Sequence, residues 1–213
     1  MTQLKIFEIF YSLQGESSRV GLPTIFIRLS GCPMRCHYCD TAYAFQGGSM
    51  MTIDEIMEAI KKYHTHYVTV TGGEPLAQKE VLNLLKVLAD QNFKVSLETG
   101  GGLSIKEVDP RIKIILDIKT PESGEEKKNY WENLNFIHLK DEIKFVLCSR
   151  EDYDWAKKII THYKLPEKCD VLFSPVYQKL NNTDLGNWIL EDQLPVRMQI
   201  QLHKLLWGEK PGV

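Results

Sequence analysis

The chain has 213 residues, 43% of them hydrophobic and 25% charged, with a formal net charge of −2, an ordinary globular composition with room for one sizeable core. With no basic stripe along it, nothing in the chain invites a nucleic-acid backbone. No stretch approaches the roughly 20 apolar residues of a membrane span, and the opening MTQLKIFEIF lacks the basic and apolar segments of a secretion signal, so a cytoplasmic protein is expected.

KIFEIFYS (5–12) and TIFIRLS (24–30) are rich in aromatic and β-branched residues and read as strands. Thr52 with Glu55 three residues on makes a capping box. It opens a helix over 52–63 whose Ile53, Ile56, Met57 and Ile60 recur at helical spacing. HYVTVT (66–71) is a short strand running into GGEP, QKEVLNLLKVLADQ (78–91) an amphipathic helix, and FKVSLET (93–99) the next strand. KIILDIK (113–119) and EIKFVLC (142–148) are two more strands, separated by the polar TPESGEEKKNYWENLN (120–135), a loop with a short helix. A helix over 150–163, the strand CDVLFSP (169–175), a short helix over 183–192 and VRMQIQLH (196–203) close the series. Alternating strands and helices predict an α/β chain with a parallel sheet and right-handed crossovers. About six parallel core strands are too few for a closed eight-stranded barrel, so the expected fold is a shortened partial (β/α) barrel, one domain over 1–213.

The chemistry is concentrated in GCPMRCHYCDT (31–41), where Cys32, Cys36 and Cys39 stand at C-x3-C-x2-C. A structural zinc takes four protein ligands, and His37 or Asp40 is near enough in sequence to supply a fourth. No second C-x2-C or H-x3-H pair accompanies them, however, and Cys148 and Cys169 each lie in an apolar strand and read as core thiols. The alternative is a [4Fe–4S] cluster held by three thiolates, leaving one iron open to a small-molecule chelate. Gly31 and Pro33 supply the turn that such convergence needs. TGGEP (71–75) ends a predicted strand, where α/β folds bind ligands and where glycines let a backbone come close.

The cysteine spacing after a strand, with the aromatic Tyr38 before the last cysteine, resembles the signature of the radical S-adenosylmethionine (SAM) superfamily. That resemblance implies a cluster on Cys32, Cys36 and Cys39 whose open iron binds SAM and whose electron cleaves it to methionine and a 5′-deoxyadenosyl radical. It also places Gly72, Gly73 and Glu74 at the SAM amino group. The flanks narrow the family: FYSLQGESSRVGLPTIFIRLSGCPMRCHYCDT (10–41), ETGGG (98–102), DIK (117–119), SPVY (174–177) and QLHKLLW (201–207) together resemble 7-carboxy-7-deazaguanine synthases over nearly the whole chain. The family implies conversion of 6-carboxy-5,6,7,8-tetrahydropterin to 7-carboxy-7-deazaguanine with loss of ammonia, a step of queuosine and 7-deazapurine biosynthesis. SAM is used catalytically there, with Mg2+, a flavodoxin-type reductant and a homodimer.

By the same resemblance Leu13, Gln14, Gly15, Arg28 and Thr71 contact substrate, and Thr41 binds magnesium. Tyr38, Cys39, Asp40, Gly73, Asp117, Ile118, Lys119, Ser174, Pro175, Val176 and Tyr177 fall at SAM positions. The chemistry of three of these residue types agrees. A fixed guanidinium at Arg28 suits a carboxylate, while Gln14 and Glu16 suit the amide and amine edges of a pterin. Two departures stand out. Gly100 occupies a place where the family often has Asn, and the tail GEKPGV continues past LLW, with His203 and Lys204 as alternative polar groups there. The rival readings are an activase that places a glycyl radical on a partner protein, and a zinc-binding module without catalysis.

Overall fold

Residues on a strand point alternately to its two faces, and in this chain the two faces have opposite characters. A computed structural model describes residues 3–210 and 212–213. Its strands are β1 (Gln3–Leu13), β2 (Pro23–Leu29), β3 (Ser49–Thr52), β4 (Tyr67–Gly72), β5 (Lys94–Thr99), β6 (Lys113–Ile118), β7 (Glu142–Leu147), β8 (Asp170–Pro175) and β9 (Arg197–Met198). They form one sheet in the order β3-β1-β2-β4-β5-β6-β7-β8-β9. β1 runs antiparallel to β2 and β3, and every other pairing is parallel. β2 and β4 to β8 are the six parallel core strands expected. The order ends in two edge strands, so the barrel is partial.

One face of each strand carries the apolar series: Ile25, Ile27 and Leu29 on β2, Val68 and Val70 on β4, Ile143, Phe145 and Leu147 on β7, all fully buried. These pack in one cluster with Ile56 and Ile60 of α1 (Ile53–Ile60), Leu84, Leu85 and Leu88 of α2 (Val81–Asp90), and Tyr153 and Ala156 of α3 (Arg150–Tyr163). Leu185 of α4 (Asn182–Glu191) joins them. The other face carries Arg28 on β2, Thr71 on β4, Glu98 on β5, Asp117 on β6, Lys144 on β7 and Ser174 on β8, all lining one cavity. Hydrophobic burial therefore fixes which residues must look inward.

Local signals are realised where they were read. The capping box of α1 forms, with Glu55 accepting from the Thr52 N–H at 2.7 Å and Thr52 Oγ1 accepting from the Glu55 N–H at 3.2 Å. α3 spans the residues predicted for it and is capped by Ser149. The polar stretch 120–135 forms three short 3-10 turns, anchored by the fully buried Asp152. That carboxylate accepts from Thr120 Oγ1, the Glu122 N–H and the Cys148 N–H, each at 3.0 Å.

Three expectations change. β3 was not predicted; it exists because β1 offers Gln3–Ile6 as a free edge. The helix predicted from residue 78 begins at Val81, since the Gln78 side chain is engaged with Lys5 and Ser30. VRMQIQLH does not run on as a strand: only Arg197 and Met198 pair with β8. Beyond them Gln199 and Gln201 turn to the 14–17 loop, and the chain folds as the short helix α5 (Leu202–Trp207). Among the described residues no helix is long and apolar enough to cross a membrane.

Tyr153 ties α3 to α4: its buried hydroxyl lies 2.8 Å from both the Trp188 carbonyl and Asp192 Oδ2. Tyr153→Phe should cost about 1 kcal/mol, read as a fall of roughly 2–4 °C in Tm for a chain of this size.

Candidate active site

The β1–β2 connection folds back under the barrel instead of spanning solvent. The Gln14 N–H donates to Leu22 O at 2.9 Å and the Gly21 N–H to Gln14 O at 2.8 Å, closing the loop on itself. Gln14 is buried, and its amide donates to Thr69 Oγ1 at 3.1 Å and Glu98 Oε1 at 3.3 Å while accepting from the Glu16 N–H at 3.2 Å. Both ends of that amide are thus used by the protein, and Gln14 shapes the floor of the cavity. Glu16, read from the sequence as suiting the pterin edge, is neither solvated nor alone. Its carboxylate meets Lys144 Nζ at 2.8 Å and Gln201 Nε2 at 2.8 Å. Burial alone would raise its carboxyl, but Lys144 and Gln201 outweigh it and hold Glu16 below the usual range.

Arg28 comes from β2 opposite Glu8 of β1 and Thr71 of β4. Its Nε donates to Glu8 Oε1 at 2.8 Å, and the guanidinium lies 5.7 Å from the Phe10 ring and 5.9 Å from the Tyr43 ring. Neither Nη makes a hydrogen bond among the described residues, which leaves a fork presented from a fixed stem. Glu98 lies beside this group, accepting from Thr71 at 3.3 Å. Burial pushes its carboxyl up, with Lys144 and Arg28 offsetting only part of the effect.

The cysteine loop is held from two sides. From below, Gly31 O accepts from the Glu74 N–H at 2.8 Å. A Cβ on Gly73 would stand 1.8 Å from that carbonyl, so the first reason for glycine in GGE is backbone contact with the loop. Glu74 itself is fully buried, its carboxylate accepting from the Leu76 and Gly100 N–H groups and the Thr99 hydroxyl. Its side chain braces β4 to β5 and does not line the cavity, whereas Gly72 and Gly73 do. From the side, the 120–135 stretch supplies Ser123 O to the His37 N–H at 3.0 Å, Glu125 Oε1 to the Arg35 N–H at 2.6 Å, and Lys128 Nζ to Pro33 O at 2.9 Å.

Cys32, Cys36 and Cys39 all line the cavity, while Cys148 and Cys169 are buried in the core. Among the described residues no three His, Cys, Asp or Glu side chains converge on one point. A tetrahedral zinc with bonds near 2.3 Å would draw its sulfurs within about 4 Å of each other. His37 has turned away, with Nδ1 3.2 Å from Glu122 O. Three thiols lining one cavity, with His37 turned away and Asp40 held by Lys204 and Gln201 at 3.1 Å each, fit a many-iron cluster. Burial pushes the Cys32 and Cys36 thiols up, and bound iron would hold them as thiolates. A SAM-type ligand also fits: Asp117 Oδ1 is buried with no hydrogen-bond partner among the described residues, while Oδ2 pairs with Lys119 at 3.0 Å. An acceptor left unpaired inside a cavity asks for a donor from the ligand. For magnesium the chain offers the Thr41 hydroxyl, 3.7 Å from Cys39 Sγ.

Residues 26–164 match the family model of the radical SAM superfamily. A 7-carboxy-7-deazaguanine synthase from Chlorobaculum tepidum is 47% identical over 208 residues, covering 96% of this chain and 94% of its own length. One from Koribacter versatilis is 40% identical over 226 residues, covering 99% and 100%. The chain belongs to the 7-carboxy-7-deazaguanine synthase family. The crystal structure of QueE from Escherichia coli superimposes with a TM-score of 0.78 over 95% of this chain and 96% of that one, at 23% identity, a likeness of fold. Membership of the radical SAM superfamily implies a [4Fe–4S] cluster and SAM.

Of the residues singled out in the sequence of this family member, Leu13, Gln14, Gly15, Glu16, Arg28, Thr71, Tyr38, Asp40, Thr41, Gly73, Asp117, Lys119, Ser174, Val176 and Tyr177 line the cavity with the cysteines. Two do not. Ile118 and Pro175 alternate onto the outer face, where Ile118 sits in the apolar cluster, so a contact from either falls to its backbone. Sequence reasoning missed Lys144, Glu98 as a wall residue, and Met34, which is buried against Gly100. The signal was available for the first two: a charged residue at an alternate position of an otherwise apolar strand. His203, Lys204 and Val213 also line the cavity, with Lys204 Nζ 3.1 Å from Asp40.

Gly73→Ala should force the cysteine loop off β4 and cost about 1–3 kcal/mol. After anaerobic reconstitution the variant should retain its helical circular dichroism but lose most of its iron and sulfide.

Proposed function

We propose that this chain converts 6-carboxy-5,6,7,8-tetrahydropterin to 7-carboxy-7-deazaguanine with loss of ammonia, using SAM catalytically in 7-deazapurine and queuosine biosynthesis. The observation that carries the reading is the inner wall: Arg28, Glu98, Asp117 and Lys144 face the same cavity as the three cysteines. A polar bicyclic acid needs a cation for its carboxylate and acceptors for its amine and amide edge. A peptide presented for glycyl-radical formation would not call for four ionisable side chains around one cavity.

Cluster and SAM together, when bound on Cys32, Cys36 and Cys39, supply a carbon radical able to take a hydrogen atom from the substrate. The chain's own residues bind and orient. Arg28, held at Nε by Glu8, offers its free Nη groups to the substrate carboxylate. Glu16, kept ionised beside Lys144, accepts N–H groups from the pterin edge. Asp117 accepts from SAM through Oδ1, and Tyr38, Asp40, Gly73, Lys119, Ser174, Val176 and Tyr177 complete that half of the cavity. A magnesium ion would be held from the protein by the Thr41 hydroxyl, a hard neutral oxygen of the kind that ion takes. The whole chain acts as one radical SAM domain in a cytoplasmic homodimer reduced by a flavodoxin-type protein. Supporting the dimer, Leu205, Leu206 and Trp207 of α5 expose 68%, 49% and 39% of their surfaces.

The reconstituted protein, given the carboxytetrahydropterin, SAM, magnesium and dithionite without oxygen, should yield deazaguanine by mass spectrometry with SAM largely conserved. Accumulation of 5′-deoxyadenosine without that product would overturn the substrate. Arg28→Ala should raise KM for the pterin about 10- to 100-fold, the worth of a hydrogen-bonded charge, with a smaller effect on SAM cleavage. Cys36→Ala should bind no intact cluster by iron analysis and show no turnover.

A further inference from the structure

Lys144 lies in the middle of β7 on its inner face, its side chain 12% exposed. Its Nζ is 2.8 Å from Glu16 Oε2 and 3.7 Å from Asp117 Oδ2. Glu16 belongs to the floor loop assigned above to the pterin, and Asp117, whose Oδ1 is buried with no partner among the described residues, to the wall assigned to SAM. The ammonium therefore stands at the junction of the two half-sites. We propose that Lys144 is a positioning residue for the reaction, holding Glu16 and Asp117 in one network so that the substrate edge and SAM are kept in a single register. The inference rests on the substrate assigned above.

The energetics favour such a role. A buried lysine is expected to lose its proton unless anions hold it. Here burial pulls Lys144 down, yet Glu16, Asp117 and Glu98 raise it well above its ordinary value. Glu98 from β5, Asp40 from the cysteine loop, His203 from α5 and Lys119, 3.0 Å from Asp117 Oδ2, are the other titratable groups turned toward this network. None of the four replaces the ammonium at Glu16: two are carboxyl groups, burial lowers the histidine, and Lys119 is paired with Asp117. Without Lys144, Glu16 would keep its desolvation and lose its main counter-charge, so its carboxyl would rise toward neutrality.

The test compares Lys144→Met and Lys144→Arg in the reconstituted enzyme from about pH 4 to about pH 8. Lys144→Met should raise KM for the pterin and lower product formed per 5′-deoxyadenosine released, each about ten-fold. The acid limb of kcat/KM should move up by roughly one pH unit, and Lys144→Arg should restore the limb and most of the coupling. Wild-type KM, coupling and pH profile in Lys144→Met would overturn the proposal. Equal losses in both variants with a lowered Tm would also overturn it, as the mark of a structural strut. Should Lys144→Met fail to fold, Glu16→Gln carries the test: coupling must fall and the acid limb vanish, and unchanged coupling refutes the network. Should the wild type make no deazaguanine, the substrate assignment fails by itself. Lys144 is then judged by carboxyl 13C titration of Glu16 in the full-length chain, where a wild-type curve in Lys144→Met would refute it.

Discussion

Side chains of a parallel strand must serve two faces, and in this fold the outer one is covered by helices while the inner one lines a cavity. Burial of Ile25, Ile27 and Leu29 against the helices leaves Phe26 and Arg28 no choice but to face inward. The same parity places Glu98, Asp117, Lys144 and Ser174 around the cavity. A one-residue slip in any strand would exchange the two sets, burying charge among isoleucines. The register that makes the core is therefore the register that makes the site.

Charges gathered in a cavity repel or desolvate one another unless they are paired. The chain pairs them beforehand: Arg28 with Glu8, Lys144 with Glu16, Lys119 with Asp117. Each pair occupies part of a side chain and leaves the rest without a partner among the described residues, as in the Nη groups of Arg28 and the buried Oδ1 of Asp117. Such fixed dipoles and charges need little reorganisation when a ligand arrives. The cysteine loop is prepared in the same way, since backbone groups of 31–37 are already occupied by Glu74, Ser123, Glu125 and Lys128.

The polar 120–135 stretch shows how a segment without periodicity acquires a purpose. It has no apolar face to bury, so nothing local dictates a long helix, and it breaks into short turns. Asp152, thirty residues along in α3, gathers its start, and the turns then meet the cysteine loop. Likewise Glu74, which motif reasoning assigned to SAM, is fully enclosed because Thr99 and the Gly100 N–H reach it from the next strand.

The sequence by itself determined the strand parity, the capping box at Thr52, the extent of α3, the three-thiol loop and, through QGE, CDT and SPVY, the family. Those features depend on neighbours within a few residues, or on a spacing that one chemistry requires. Only the tertiary structure decided that Glu16 finds Lys144 across 128 residues of chain, that Gln14 is spent on Thr69 and Glu98, and that the last residues form a helix over the cavity instead of a strand. Those outcomes turn on which distant donor reaches a buried acceptor, and a buried polar group takes the partner that the packed sheet brings to it.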